Sequence, residues 1–261
     1  MEIGISSACF YPKVCLEDSI RLMKNLGFKT GELFFNCPSE FEEEFTNRLI
    51  YEKEKWGFSV NSVHAFSSFF EPYLFDSYKR RRKDMLKYFK EVCIAGKKLG
   101  ANTYTFHGMR KIDTRFFDAN LIADVYNELV YISAEIGIKL AQENVSWCMS
   151  SDLNFLKMIK DKCKYPINFT LDIKQAYKAR TLVEEYIKVM DENIVNVHIN
   201  DRTSSEVCLL PGRGNVDYKK FREDLKKVNY EGNFIIEVYS DNYSDYKEFL
   251  DSREYLKKFL Y

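Results

Sequence analysis

The chain has 261 residues, 46% hydrophobic and 30% charged, the balance of an ordinary globular domain with ample material for a core. Lys+Arg and Asp+Glu both number 39, so the basic excess of a protein that grips a phosphate backbone is missing, and no nucleic-acid partner is expected. The seven Cys are odd in number and include no C-x-x-C pair, which argues against a disulfide framework and a thiolate zinc site and fits a reducing, cytoplasmic compartment. The start lacks the basic residues and long apolar run of a signal peptide, and no apolar stretch has the length of a membrane span.

In chain order, the first strand-like segment is Glu2–Ser6, followed by a helical pattern over Leu16–Leu26 that stops at Gly27. Thr30–Phe35 and Ser59–His64 are the next predicted strands, and Lys79–Leu99 is a long amphipathic stretch ending at Gly100. Thr103–His107 follows, then a helical pattern over Leu121–Ile136 that stops at Gly137. Lys139–Glu143, Asn168–Asp172, Asn196–Ile199 and Phe234–Val238 complete the strands, with helical stretches between them and Tyr246–Phe259 at the end. Glycine just past a helical pattern is a C-terminal stop signal. Alternating strands and helices imply a parallel sheet, and eight pairs in a chain near the ~250 residues of a typical barrel predict an α/β fold, a single-domain (β/α)₈ TIM barrel over residues 1–261. The rival is a doubly wound open sheet, which carries a Gly-rich turn after its first strand. Here that turn reads Ser-Ser-Ala-Cys-Phe-Tyr-Pro.

The chain has only three histidines. His64 ends the third predicted strand (V-N-S-V-H-A), His107 ends the fourth (Y-T-F-H-G), and His198 lies near the end of the seventh (V-N-V-H-I-N-D). In a barrel those ends converge on the face where active sites sit. One such histidine reads as a satisfied core residue; three together point to a shared site. The carboxylates repeat the pattern: Glu143 ends the fifth strand, Asp172 the sixth, and Glu237 lies near the end of the eighth, each after an apolar run. Buried carboxylates are costly unless paired or bound to metal, and neighbouring ones repel. A single divalent ion held by Glu143, Asp172, His198 and Glu237 removes both problems. Three oxygen donors and one imidazole suit Mn²⁺, Mg²⁺, Co²⁺ or Zn²⁺ with open positions. A hydroxy-ketone can place two oxygens on such an ion, which polarises the carbonyl and stabilises an enediolate. One carboxylate can then remove a proton and another return it, and Glu143 and Glu237 are the glutamates of the set.

In their order and spacing, Glu143-Asn144, Leu171-Asp172, Val197-His-Ile-Asn-Asp201, Pro211-Gly-Arg-Gly-Asn-Val-Asp-Tyr218 and Ile235-Ile-Glu-Val238 resemble the xylose isomerase-like barrel superfamily, specifically its sugar phosphate isomerase/epimerase branch, over nearly the whole chain. The resemblance implies one metal on Glu143, Asp172, His198 and Glu237, with the two glutamates as the acid/base pair. It places His64 and His107 in the substrate pocket and Arg202 against the substrate, a small sugar or polyol, and it implies that a homo-oligomer is possible. The chain departs from the pattern twice. Gln175 stands where members often have histidine; it can hydrogen-bond a hydroxyl but cannot shuttle a proton. Arg213 replaces the glutamate of a P-G-E-G loop, where it either favours an anionic substrate group or is a surface arginine. An abasic-site endonuclease resembles the chain at the same strand ends, but it needs three zinc ions and a D-x-H pair absent after the seventh strand. The same strand-end residues would also serve an inosose dehydratase-like lyase or a non-catalytic sugar-binding barrel.

Further features carry bland readings beside functional ones. The basic run Lys79–Lys83 reads as a solvated helix start in preference to a nucleic-acid-binding patch. Phe66, Phe69 and Phe70 read as an apolar wall over the substrate or as loop packing. Glu32 reads as a pocket residue or a partner of the neighbouring strand, and Gly212 and Gly214 as an anion-facing loop or a plain turn.

Overall fold

The computed structural model describes residues 1–66, 69–113 and 117–260. The barrel strands are β1 (Ile3–Ser6), β2 (Thr30–Phe35), β3 (Ser59–Ala65), β4 (Thr103–Phe106), β5 (Lys139–Glu143), β6 (Asn168–Asp172) and β7 (Ile194–Ile199). After a small hairpin of β8 (Asp201–Arg202) and β9 (Val207–Leu209) comes β10 (Phe234–Ile236). Eight of them form one closed parallel barrel in the order β1, β10, β7, β6, β5, β4, β3, β2. Between and after them run α1 (Leu16–Asn25), α2 (Glu43–Trp56), α3 (Lys79–Leu99), α4 (Ala119–Ile136), α5 (Leu153–Lys162), α6 (Ile173–Lys178), α7 (Val183–Met190), α8 (Tyr218–Lys227) and α9 (Glu248–Leu260). The predicted (β/α)₈ barrel is the observed fold. No helix among the described residues is long and apolar enough to cross a membrane.

Strands buried on both faces read as near-continuous apolar runs, as Phe234–Ile236 does. The helices cover the outside of the ring, and aromatic side chains fill the layer between. Phe89 packs edge-on to Phe106, which in turn meets Tyr126 edge-on, and Tyr104 lies against both Phe89 and Phe106. Much of the aromatic content therefore builds core. α3 ends where predicted because Gly100, at φ +83°, adopts the left-handed cap and returns its N–H to Gly96 and Lys97. α4 starts two residues before the apolar pattern, because the Asp118 carboxylate accepts from the N–H groups of Asn120 and Leu121 and caps the helix there.

Three strand ends differ from expectation in ways that matter for the site. His107 and Glu237 each lie just beyond their strands, and β7 begins two residues earlier, at Ile194. After β6 the chain makes two short helices in place of one. Arg180 takes φ +58°, and the N–H of Thr181 turns back to Ala176, so the helix cannot continue.

Candidate metal centre and the cavity above it

Strand register brings the chemistry to one level. Asp172, the last residue of β6, pairs with His198 of β7, and His198 pairs on its other side with Ile235, two residues before Glu237. Glu143 ends β5 next door, in register with Thr170. As a result Glu143, Asp172, His198 and Glu237 present ligand atoms that all lie within 4.8 Å of one another, every one of them buried. Glu143 Oε1 lies 3.3 Å from His198 Nδ1 and Oε2 lies 2.9 Å from His107 Nε2. Neither contact is directed as a hydrogen bond. Both Glu143 oxygens, Asp172 Oδ2 and His198 Nδ1 therefore stay buried without a hydrogen-bond partner. Bare buried carboxylate oxygens are expensive, of order 1–3 kcal/mol each and more for charged groups. Converging hard oxygens with one imidazole are what a divalent cation of the Mn²⁺, Mg²⁺, Co²⁺ or Zn²⁺ class accepts, so the residues present fit such an ion.

The free oxygen of Asp172 is set by its partner oxygen. Oδ1 accepts the Gln175 N–H as the N-cap of α6 and also the Asn200 side-chain amide, at 3.2 and 3.3 Å, which turns Oδ2 inward. Asn144 ties the two strand ends together. Its side chain accepts from the Asp172 N–H at 2.8 Å and donates to the Asp172 carbonyl at 3.0 Å. The asparagines of E-N and V-H-I-N-D thus act as positioning residues.

Two residues that the sequence did not assign to the site belong to it. Glu32, fully buried in β2, lies beneath His198 with Oε2 3.0 Å from Nε2. The same carboxylate accepts from Ser62 (2.7 Å), Thr105 (3.0 Å) and the Asn196 amide (3.2 Å). A carboxylate on the far nitrogen of a histidine fixes its ring and tautomer, which would leave Nδ1 available to an ion. Burial alone would raise the Glu32 pKa, but His198 and His64 bring it down to about 2. The second is Lys174, two residues after Asp172, with its amine buried 2.8 Å from Glu237 Oε2 and 3.3 Å from Asp172 Oδ2. Burial disfavours the ammonium, yet Asp172 and Glu237 outweigh it and hold the pKa well above the ordinary lysine range. The sequence leaves Glu32 open between the pocket and the neighbouring strand, and a lysine opening a helix is unremarkable in it; the closed ring shows that both point at one spot.

Above the cluster opens a cavity of about 380 Å³, whose walls include His64, His107, Gln175, Trp147, Phe66 and Tyr239. His64 Nε2 and His107 Nε2 are 2.7 Å apart, and His64, His107 and Glu143 form a second group able to hold an ion. Burial opposes a proton on His64, but Glu237 and Glu32 raise its pKa to about 10. His107 is anchored through its backbone: buried Glu71 accepts its N–H at 2.8 Å and that of Gly108 at 3.0 Å. The phenylalanines divide their roles, with Phe66 on the cavity wall while Phe69 and Phe70 pack on Tyr88. Gln175 lines the cavity and accepts the Ser146 N–H at 3.1 Å.

Arg202 is not among the cavity's lining residues. Its guanidinium stacks 3.9 Å over the Tyr177 ring and lines a neighbouring groove. Arg213 is half-exposed and pairs with Glu248 at 2.9 Å, which makes it a surface arginine. The Pro-Gly-Arg-Gly loop is folded by Asp201, whose carboxylate accepts the N–H groups of Arg202, Gly212 and Val216. A side chain at Gly214 would collide with the Arg202 carbonyl, so the close approach demands glycine there. A larger hollow, about 630 Å³, opens at the other end of the barrel around Asn61, Asn102 and Lys139, but it holds none of the histidines or grouped carboxylates.

Comparison with known proteins follows the same lines. The profile of the family described as xylose isomerase-like TIM barrel matches residues 20–259. Two uncharacterized proteins of Methanocaldococcus jannaschii are similar in sequence. One is 29% identical over 59% of this chain and 62% of its own length, and the other 23% identical over 100% of this chain and 89% of its own. The chain thus spans less than two thirds of the first of these relatives. Among solved structures, a D-tagatose 3-epimerase-like protein superposes with a TM-score of 0.82 at 20% identity, over 100% of this chain and 97% of that one. D-psicose 3-epimerase from Clostridium cellulolyticum H10 gives 0.77 at 16% identity, covering 100% and 99%. An L-ribulose 3-epimerase gives 0.78 at 17% identity, covering 99% and 93%. At these identities the likeness to solved structures is one of fold.

Proposed function

The chain belongs to the xylose isomerase-like TIM barrel family, and from that premise we propose that it is a divalent-metal-dependent isomerase or epimerase of a sugar or sugar phosphate. One observation carries the reading: bare, buried ligand atoms of Glu143, Asp172 and His198 converge with Glu237 at the floor of a polar-and-aromatic cavity. The epimerase activities of its structural neighbours support the same reading. In this reading Glu143, Asp172, His198 and Glu237 hold the ion, which supplies Lewis-acid charge to a substrate carbonyl.

The remaining work falls to the chain's own side chains. Glu143 and Glu237 both line the cavity, and they act as the acid/base pair that removes a proton from the substrate carbon and returns one. Burial raises the pKa values of both carboxylates, but neighbouring groups outweigh it, His107 leading for Glu143 and Lys174 for Glu237, so both are pulled well below the ordinary range and stay ionised. His64, His107 and Gln175 offer hydrogen bonds to hydroxyls, while Phe66, Trp147 and Tyr239 supply apolar faces and exclude water. Arg202 contacts the substrate in this reading only by leaving its seat on Tyr177.

The test is proton exchange. Incubated with Mn²⁺ and ketohexoses in heavy water, the enzyme should place deuterium at the carbon beside the carbonyl and interconvert epimers. Metal uptake without exchange on any ketose, aldose or their phosphates would leave a binding barrel. A second reading, a phosphodiester-cleaving enzyme, draws on the His64–His107–Glu143 group, which shares Glu143 with the first. More than one ion per chain together with cleavage of an abasic-site duplex would favour it.

A further inference from the structure

Of the four grouped residues, three keep a fully buried ligand atom without a hydrogen bond; on the fourth, Glu237, the Oε2 that faces His198 accepts from Lys174. The lysine amine contacts Glu237 Oε2 and Asp172 Oδ2, and these are the oxygens that face His198 Nδ1, at 3.4 and 3.9 Å. Its side chain is only 3% exposed. An ammonium thus sits against the mouth of the ligand set, on the oxygens an ion would take.

We propose that Lys174 is a tethered cation that fills the metal-free site and is displaced into the cavity when a divalent ion binds. This rests on the reading that the four residues hold an ion. Three carboxylates packed together without a counter-charge would repel one another at low dielectric, and Lys174 supplies part of that charge, in direct contact with two of them. A divalent ion between the same oxygens replaces its function and repels it, since like charges a few ångströms apart in a buried site are strongly unfavourable. A way out is built in. Lys174 already lines the cavity, and the half-exposed Tyr239 ring lies 4.9 Å from its amine, a cation–π seat already shared with Lys178. The long unbranched stem lets the amine swing without moving α6.

Displacement has a price in affinity. A ligand that binds only the open conformer has its apparent Kd raised by the reciprocal of that conformer's population, so a site closed by lysine ~90–99% of the time binds ~10- to 100-fold more weakly than an open one. Lys174 would set the metal concentration at which the enzyme switches on.

The experiment has two readouts, neither of them activity. Mn²⁺ binding is measured by calorimetry on the wild type, Lys174→Met and His198→Ala. Lys174 acetylation by an N-hydroxysuccinimide ester is followed by peptide mass spectrometry with and without saturating Mn²⁺. Expected are one ion per wild-type chain, lost in His198→Ala, at least ~10-fold tighter binding in Lys174→Met, and a Lys174 that is protected in the metal-free protein and labelled in the loaded one. The labelling needs no variant, so it decides the matter even if Lys174→Met folds poorly. Unchanged or weaker binding in Lys174→Met, or protection that persists with Mn²⁺, would overturn the displacement while leaving the ion site standing. Absence of a His198-dependent ion would remove the site and this proposal with it.

Discussion

Glu32 and Glu143 are both buried glutamates in the barrel interior, and they are treated in opposite ways. Glu32 accepts hydrogen bonds from Ser62, Thr105 and Asn196 and faces His198 from below. Glu143 keeps both oxygens without a hydrogen bond at the C-terminal end of the same ring. A buried carboxylate whose partners are complete is part of the structure, while one held bare is a cost the fold carries for a ligand. On the proposed reading, the difference separates a supporting layer from a working one.

The largest expected effects fall on the working layer. Glu143→Gln and Glu237→Gln should each lower substrate proton exchange in heavy water by several orders of magnitude, with circular dichroism unchanged. Near-normal exchange in either variant would remove that residue from the acid/base role. The metal-free Glu143→Gln protein should lose no more than about 1 kcal/mol, because relief of a desolvated carboxylate offsets the loss of the neighbours that hold its pKa down. Glu32→Ala should instead lose about 3 kcal/mol in urea unfolding, since His198 and four donors lose their acceptor. Equal losses in the two metal-free variants would erase the distinction between the layers.

Acid should act on the supporting layer as well as on Glu143 and Glu237, whose carboxylates are also held well below the ordinary range. The folded pKa of Glu32, about 2, lies below the 4.5 of an unfolded glutamate, so its stabilisation is present above pH 4.5 and is lost as pH falls from 4.5 towards 2. Glu32→Gln should flatten that limb of the stability curve, and an unchanged limb would mean other groups carry it. On the proposed reading, chelation is a comparable lever. At 100 times its Kd an ion adds about 2.7 kcal/mol, so chelation should lower Tm by several degrees, and the shift should vanish in His198→Ala.

The barrel was legible because its signals are local: apolar runs buried on both faces, helical spacing between them, and glycine stops such as Gly100. The strand-end histidines and acids were legible because a closed parallel ring converts position along each strand into height in the barrel. The supporting residues were not. Glu32 lies mid-strand, and Glu71 follows a run of phenylalanines. Lys174 looks like an ordinary helix-start lysine until Asp172 is seen to cap that helix and turn its free oxygen inward. Which way such side chains point depends on neighbours from distant segments, and single-chain spacing does not carry it. The same gap explains Arg202, whose position after V-H-I-N-D suggested substrate contact while the fold seats it on Tyr177.

Arg213 offers the smallest effect and a clean control for the comparison. It sits in the Pro-Gly-Arg-Gly loop, where the sequence left open a role in holding an anionic substrate group, yet its guanidinium pairs with Glu248 and its side chain is 51% exposed. Half-exposed ion pairs are worth about 0–1 kcal/mol. Arg213→Ala should therefore change stability by no more than about 0.5 kcal/mol and leave KM unchanged for neutral and phosphorylated sugars alike. A KM that rises for a phosphorylated substrate only would show that the loop swings Arg213 off Glu248 and onto the phosphate. The working layer would then extend past the strand ends into the loop that Asp201 folds.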